Sequence, residues 1–249
     1  MSGGFWEPSK ADRKVYKDME VAIVTPCGDY EVAAKFTRSV ANLVAYSWMC
    51  GLKVYEVGTV ERMVVHWARN QLAKDSVDRI NPHTGNKFTH ILWLDDDHIF
   101  NPDMLVYLAR HNVECVSALY YCRTGRILPV AYVKDDTGDK YKHYPLVEVP
   151  ETLMEVDAVG FGALLMRREM LNRVEYPYFM FENCGEDIYF CANAREAGAK
   201  IHLDGSYRLG HIGEPSITSH ATYLKYMEDH KEEMGEKVKV SLGGKEHGT

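Results

Sequence analysis

Three adjacent aspartates, Asp95-Asp96-Asp97, follow the apolar run His90-Ile91-Leu92-Trp93-Leu94 without a break. Carboxylates this close repel one another and raise one another's pKa values, a cost that a divalent cation removes. Mg²⁺ and Mn²⁺ favour such oxygen ligands and keep open positions for water and phosphate oxygens. Along an extended strand Asp95 and Asp97 share a face and Asp96 points the other way. The pair can therefore serve a metal and a nucleotide together, or the three can form a solvated acidic cap on the next helix. Further along, Gly185-Glu186-Asp187 places two carboxylates at a helix start, Gly160 and Gly162 punctuate an apolar run, and His211 lies between Gly210 and Ile212. An imidazole is a competent Mn²⁺ ligand, although a lone histidine is more often structural.

Those residues need a scaffold, and composition bounds it. The chain has 249 residues, 29 Lys+Arg against 36 Asp+Glu, and so a formal net charge of −7. Its 46% hydrophobic and 26% charged content is that of a globular protein, not a disordered one. The negative balance offers no global attraction to nucleic acid or to anionic membranes. No apolar run reaches the ~18 residues of a membrane helix, and Met1 to Lys17 carries no apolar signal segment, which points to a cytoplasmic protein. Six cysteines without a C-x-x-C pair read as reduced, mostly buried thiols.

Strand and helix patterns alternate. Strands are expected at Val21–Thr25, Lys53–Val57, His90–Leu94 and Val113–Leu119. Between them fall a helix through Val32, Phe36, Val40 and Leu43, one from Val60 to Lys74, and one opening at Asn101-Pro102-Asp103. A hairpin turns at residues 135–139 between Pro129–Val133 and Lys140–His143. A strand over Ala158–Met166, a helix over Asp187–Ala197, a strand over Ala199–Leu203 and a charged helix over Ser219–Met234 with Gly235 as its C-cap complete the series. The expected fold is α/β: a mostly parallel central sheet flanked by helices, with a small antiparallel β element. One domain is expected over residues 1–235 and a flexible tail over 236–249. In such sheets ligands bind beyond the carboxyl ends of the strands, where the three aspartates stand.

The segment Leu94 to Leu105, with Asp95-Asp96-Asp97, resembles the D-x-D segment of GT-A-fold glycosyltransferases, family 2 above all. Three further segments follow in the family's order: Val156 to Leu165 with Gly160 and Gly162, Asn183 to Phe190 with Glu186-Asp187, and Leu209 to Glu214 with His211. The resemblance spans roughly residues 20 to 215 and implies a GT-A, Rossmann-like sheet. It implies a metal, Mn²⁺ or Mg²⁺, on Asp97, Asp95 and His211. It implies donor contacts from Thr25, Pro26, Arg69, Asn70, Asp95, Asp96, Gly160 and Gly162, with Arg69 supplying the fork geometry suited to phosphate oxygens. Asp187 is the implied general base, Glu186 its neighbour, and inversion the implied outcome. The donor implied is a UDP-sugar. The acceptor is a glycan or, as in small bacteriophage members that modify DNA, a hydroxymethylated base. The family's acidic base-reading residue has only Asp29 and Glu31 as candidates here. A nucleotidyltransferase of similar architecture or a retaining GT-A enzyme are the alternatives; the former's glycine-rich N-terminal signature is absent from Val21 to Tyr30.

Overall fold

A computed structural model describes residues 4–181, 183–213, 217–232 and 234. The expected tail over 236–249, the Gly235 cap and Glu214 lie outside these. No described helix is long and apolar enough to cross a membrane.

The centre is a seven-stranded sheet. In chain order its members are β1 (Glu20–Cys27), β2 (Lys53–Glu61), β3 (His90–Leu94), β5 (Cys115–Leu119), β8 (Leu153–Val156), β10 (Ala163–Arg167) and β11 (Ile201–Arg208). They lie side by side as β2-β1-β3-β10-β5-β11-β8. β1 runs parallel to β2 and β3, and β11 runs parallel to β5. Only β10 and β8 run against their neighbours. The sheet is therefore mostly parallel, as the alternating pattern predicts.

Both faces of the sheet are covered, which is why its strands read as unbroken apolar runs rather than alternating ones. On β3, Ile91 and Trp93 join one core with Leu72 and Ala73 of α3 (Val65–Asp78) and with Phe190, Cys191 and Ala194 of α5 (Glu186–Glu196). Leu92 and Leu94 join the opposite core. There they meet Phe36 and Leu43 of α2 (Ala34–Cys50) and Met104, Leu105 and Leu108 of α4 (Met104–Ala109). Trp93 packs edge-on to Phe161 and Phe179 at 5.4 and 5.6 Å.

Two small antiparallel sheets complete the frame. One joins β6 (Ala131–Lys134), β7 (His143–Pro145) and β9 (Ala158–Val159) and contains the expected hairpin. The other joins β4 (His98–Ile99), β12 (Gly210–Ile212) and β13 (Ile217–Thr218). The expected strand over Ala158–Met166 is two strands, β9 and β10, because the chain turns at Gly160 to Gly162 between different sheets. Strand β2 runs four residues further than expected, to Glu61, so α3 starts at Val65 rather than at residue 60. Helix α1 (Lys10–Tyr16) lies in the segment read only as polar; its signal was a capping box, Ser9 with Asp12. Helix α6 (His220–Asp229) opens on Ser219, which caps it with Thr222, and ends before Met234.

Candidate metal and transfer site

Strand β3 ends at Leu94, and the chain turns at Asp96 and Asp97 before β4. The period-two geometry of a strand does not extend through that turn, so Asp95 and Asp97 do not share a face. The three carboxylates instead go three ways.

Asp97 turns toward two imidazoles. β4 pairs with β12 so that His98 stands directly opposite His211, and the two rings stack at 4.5 Å between centroids. Asp97 Oδ1 lies 3.1 Å from His98 Nδ1 and 3.3 Å from His211 Nε2. Ligand atoms of the three residues fall within 4.8 Å of one another. Yet Asp97 Oδ1 and both ring nitrogens of fully buried His98 have no hydrogen-bond partner of proper geometry. Buried polar atoms are rarely left so, and atoms that converge without bonding one another leave their lone pairs for a shared cation. His211 Nδ1 faces the Tyr121 carbonyl at 2.8 Å, which leaves Nε2 toward the cluster. One carboxylate oxygen and two imidazoles suit Mn²⁺ or another borderline divalent ion better than an all-oxygen shell would. Burial opposes the Asp97 charge, but the two facing imidazoles outweigh it and hold the carboxyl well below the usual carboxylate range. Burial likewise opposes the imidazolium of His211, and the Asp97 carboxylate outweighs it, so that histidine titrates above its ordinary value. Arg123, half exposed beyond β5, adds a guanidinium to Asp97 Oδ2.

Asp95 faces Arg69 instead, with Oδ1 and Oδ2 at 3.0 and 3.3 Å from Nη2. The structure does not bring it to the Asp97–His98–His211 group. Arg69 Nη1 reaches Glu186 Oε1 at 2.8 Å and pairs with Asp187 Oδ1. Arg69 is 2% exposed. One buried guanidinium thus holds three carboxylates from the end of β3 and the first turn of α5, and it is not turned toward open solvent as a phosphate ligand would be. Asn70 is also committed: its amide donates to the carbonyls of His66 (2.8 Å) and Phe179 (2.7 Å), and its Oδ1 accepts from Phe179 N–H. Helix α3 and the segment before α5 are clamped together through this residue pair.

Asp96 accepts from Gly28 N–H at 3.2 Å, which ties the turn to the loop after β1; burial raises its carboxyl against that bond. Thr25 and Pro26 lie inside β1, opposite Thr59 and Val60 of β2, and are buried. The strand expected to end at Thr25 runs on to Cys27, and the loop starts at Gly28. Proline is tolerated at this point because the pairing of β1 with β3 has ended at Val24. Asp29, a candidate for reading a base, is exposed and accepts from Tyr30 N–H.

Gly160 and Gly162 are buried against Tyr120. A Cβ at Gly162 would meet His98 Cε1 at 2.7 Å and Tyr120 Cζ at 2.9 Å, and one at Gly160 would meet Tyr120 Oη. The glycines make room for a fully buried tyrosine whose hydroxyl accepts from Gly162 N–H and whose ring abuts His98 edge-on at 4.5 Å. Gly162 O in turn accepts from Asp95 N–H. Tyr120 therefore links the glycine segment, the aspartate turn and His98. Sequence reasoning gave no role to His98 or Arg123. His98 adjoins Asp97 in the chain, but only the β4–β12 pairing shows that it meets His211.

Comparison with known proteins follows the same line. No protein-family model matches the chain. Over 88 residues, 35% of the chain, it is 31% identical to the mannan polymerase I complex VAN1 subunit of Saccharomyces cerevisiae, and it covers 15% of that protein. Among solved structures, A197 from STIV superposes with a TM-score of 0.56 at 20% identity, over 79% of this chain and 87% of that one. GalNAc-T7, whose crystal structure holds UDP, GalNAc and Mn²⁺, superposes at 0.50 with 15% identity, over 85% of this chain and 48% of its own. The chain thus spans about half the length of GalNAc-T7 and a small part of the VAN1 subunit. At such identities the likeness is one of architecture: the chain has a GT-A-like α/β fold, and its carboxylate and imidazole clusters stand at the carboxyl end of β3.

Proposed function

We propose that this chain is a metal-dependent glycosyltransferase that moves a sugar from a nucleoside diphosphate sugar, by default a UDP-sugar, to an acceptor hydroxyl. The observation that carries the reading is the meeting of Asp97, His98 and His211, with buried ligand atoms left unpartnered, at the ligand-binding end of a GT-A-like sheet. The presence of UDP, GalNAc and Mn²⁺ in the GalNAc-T7 structure supports the same class of donor and metal.

Asp97, His98 and His211 would hold the cation. A cation held there would supply charge neutralisation for the leaving diphosphate. Arg123, half exposed and already on Asp97, is the guanidinium free to turn toward a phosphate oxygen. Arg69 acts instead as a positioning residue: it fixes Asp187 and Glu186 relative to Asp95. Asp187, a fifth exposed and paired with that guanidinium, accepts the proton of the acceptor hydroxyl as the new glycosidic bond forms. Attack from that side with departure of the diphosphate from the other inverts the anomeric centre. Asp95, Asp96, Thr25, Pro26, Asn70, Gly160 and Gly162 shape the donor side, the last three by holding Phe179 and Tyr120 in place rather than by offering free polar groups.

The reading is tested with a panel of UDP-, GDP- and CDP-sugars, each incubated with the chain and Mn²⁺, with nucleoside diphosphate release measured. Release with one donor, abolished by a chelator, is the expected result. No release and no binding with any donor would remove the glycosyltransferase assignment, and pyrophosphate release from a nucleoside triphosphate would replace it with nucleotidyl transfer.

A further inference from the structure

The rim that carries the carboxylates also carries a row of solvent-facing rings. β1, β2 and β3 are parallel, so the first turn of α3, just past the end of β2, lies on the same edge of the sheet as Asp95 to Asp97. That turn holds His66 and Trp67. His66 sits one helical turn before Arg69 and Asn70, and its carbonyl accepts from the Asn70 amide. Phe181 lies on the segment leading into Glu186 and Asp187. The rings of Trp67 and His66 are 5.5 Å apart, and those of His66 and Phe181 are 6.2 Å apart. Trp67 is 58% exposed and Phe181 is 66% exposed, with Met63 and Val64 open beside them. His66, half-buried between the two exposed rings, has a buried Nδ1 without a hydrogen-bond partner. Large rings left in water beside functional carboxylates mark a surface meant to be covered.

Charge selects what covers it. Five carboxylates (Asp95, Asp96, Asp97, Glu186, Asp187) face two guanidiniums there, Arg69 and Arg123, and both Nη atoms of Arg69 are engaged with three of them. Arg62, directly after β2, lies over the Tyr30 ring at 4.8 Å and hydrogen-bonds its hydroxyl. Among the described residues this rim offers a phosphate-bearing polymer no basic track. An uncharged sugar finds complementary chemistry: the apolar C–H face of its ring stacks on an aromatic ring, and its hydroxyls donate to carboxylates.

We infer that the Trp67–His66–Phe181 row is the acceptor platform and that the acceptor it takes is an uncharged carbohydrate. The inference rests on the sugar-transfer reading above. It assigns the acceptor half of the site to residues that touch neither the metal cluster nor Arg69.

The experiment uses the full chain and the variants Trp67→Ala, Phe181→Ala and Trp67→Phe, whose exposed positions spare the core. Calorimetry first measures Mn²⁺–UDP binding to each. Binding is then measured for mannose-, galactose- and N-acetylglucosamine-terminated neutral oligosaccharides and for an oligothymidylate. The expected result is that at least one oligosaccharide binds the wild-type chain, that each alanine variant binds it about tenfold more weakly, a loss of the size that ring stacking supplies, and that Trp67→Phe restores most of the affinity. Mn²⁺–UDP binding is expected to be equal in all four proteins. Saccharide binding that ignores both alanine variants, binding of the oligothymidylate in place of saccharides, or binding of none of them overturns the inference while Mn²⁺–UDP binding leaves the donor reading standing. Failure of Mn²⁺–UDP to bind the wild-type chain removes the donor reading, and the acceptor platform falls with it.

Discussion

Replacing Arg69 with methionine tests the clamp at the centre of the site. The side chain is 3% exposed, and its Nη atoms hold Asp95, Glu186 and Asp187. Methionine keeps much of the volume and removes the charge. Glu186 is 8% exposed and would be left without a cation, whereas the Asp95 and Asp187 side chains, 26% and 21% exposed, can still draw on water. Breaking a buried pair by removing one partner costs about 3–5 kcal/mol. With a urea slope of roughly 3 kcal/mol/M, that lowers the unfolding midpoint by about 1–1.7 M. The sign with pH is also fixed. A buried charge left without a partner costs most while it is ionised, so the penalty of Arg69→Met is full at neutral pH and shrinks on acidification. Urea titrations of both proteins at pH 8 and pH 5 read both effects. Arg69→Met combined with Glu186→Gln is expected to recover about half of the loss, because it removes the stranded charge. A midpoint shift under about 0.3 M, or a loss that grows on acidification, would refute the clamp.

Other expectations follow from single residues. Asp187→Asn should abolish transfer while Mn²⁺–UDP affinity stays within about twofold; loss of donor binding would contradict its role as base. Burial, with Arg167 beside it, pushes His90 down to about 4. The unfolded chain therefore takes up this proton near pH 6.5 and the folded chain does not, so stability declines between pH 6.5 and 4; His90→Gln should flatten that limb by up to about 3 kcal/mol in thermal or urea melts. Gly160→Ala should destabilise by roughly 1–3 kcal/mol through collision with Tyr120. Pairing it with Tyr120→Leu should recover part of that loss, and additive losses in the double variant would show that the glycine serves some other purpose.

Much of the frame was legible in the sequence because apolar period and strand-end punctuation act locally. The runs Val21–Thr25 and His90–Leu94, and the helix after Gly185, announce a parallel sheet and where its ligand edge lies. What the sequence hid is tertiary. The division of Ala158–Met166 between two sheets depends on partners far along the chain. Asp95 and Asp97 part company because a turn, not a strand, follows Leu94. Arg69 looks like any helix arginine until the end of β3 and the first turn of α5 give it three carboxylates. His98 becomes a candidate ligand only through a two-residue strand pairing with residues more than a hundred positions away. Gly160 and Gly162 invite a ligand-approach reading, and their neighbour proves to be Tyr120.

The central claim is that Asp97, His98 and His211 hold a divalent cation. Titrating Mn²⁺ into the full chain, followed by electron paramagnetic resonance of the free ion, measures this directly. One tight ion per wild-type chain is expected, with affinity lowered at least about tenfold in His98→Ala and in His211→Ala and near-complete loss in Asp97→Ala. A wild-type chain that takes up no Mn²⁺, or histidine variants that bind it as well as the wild type does, would contradict it.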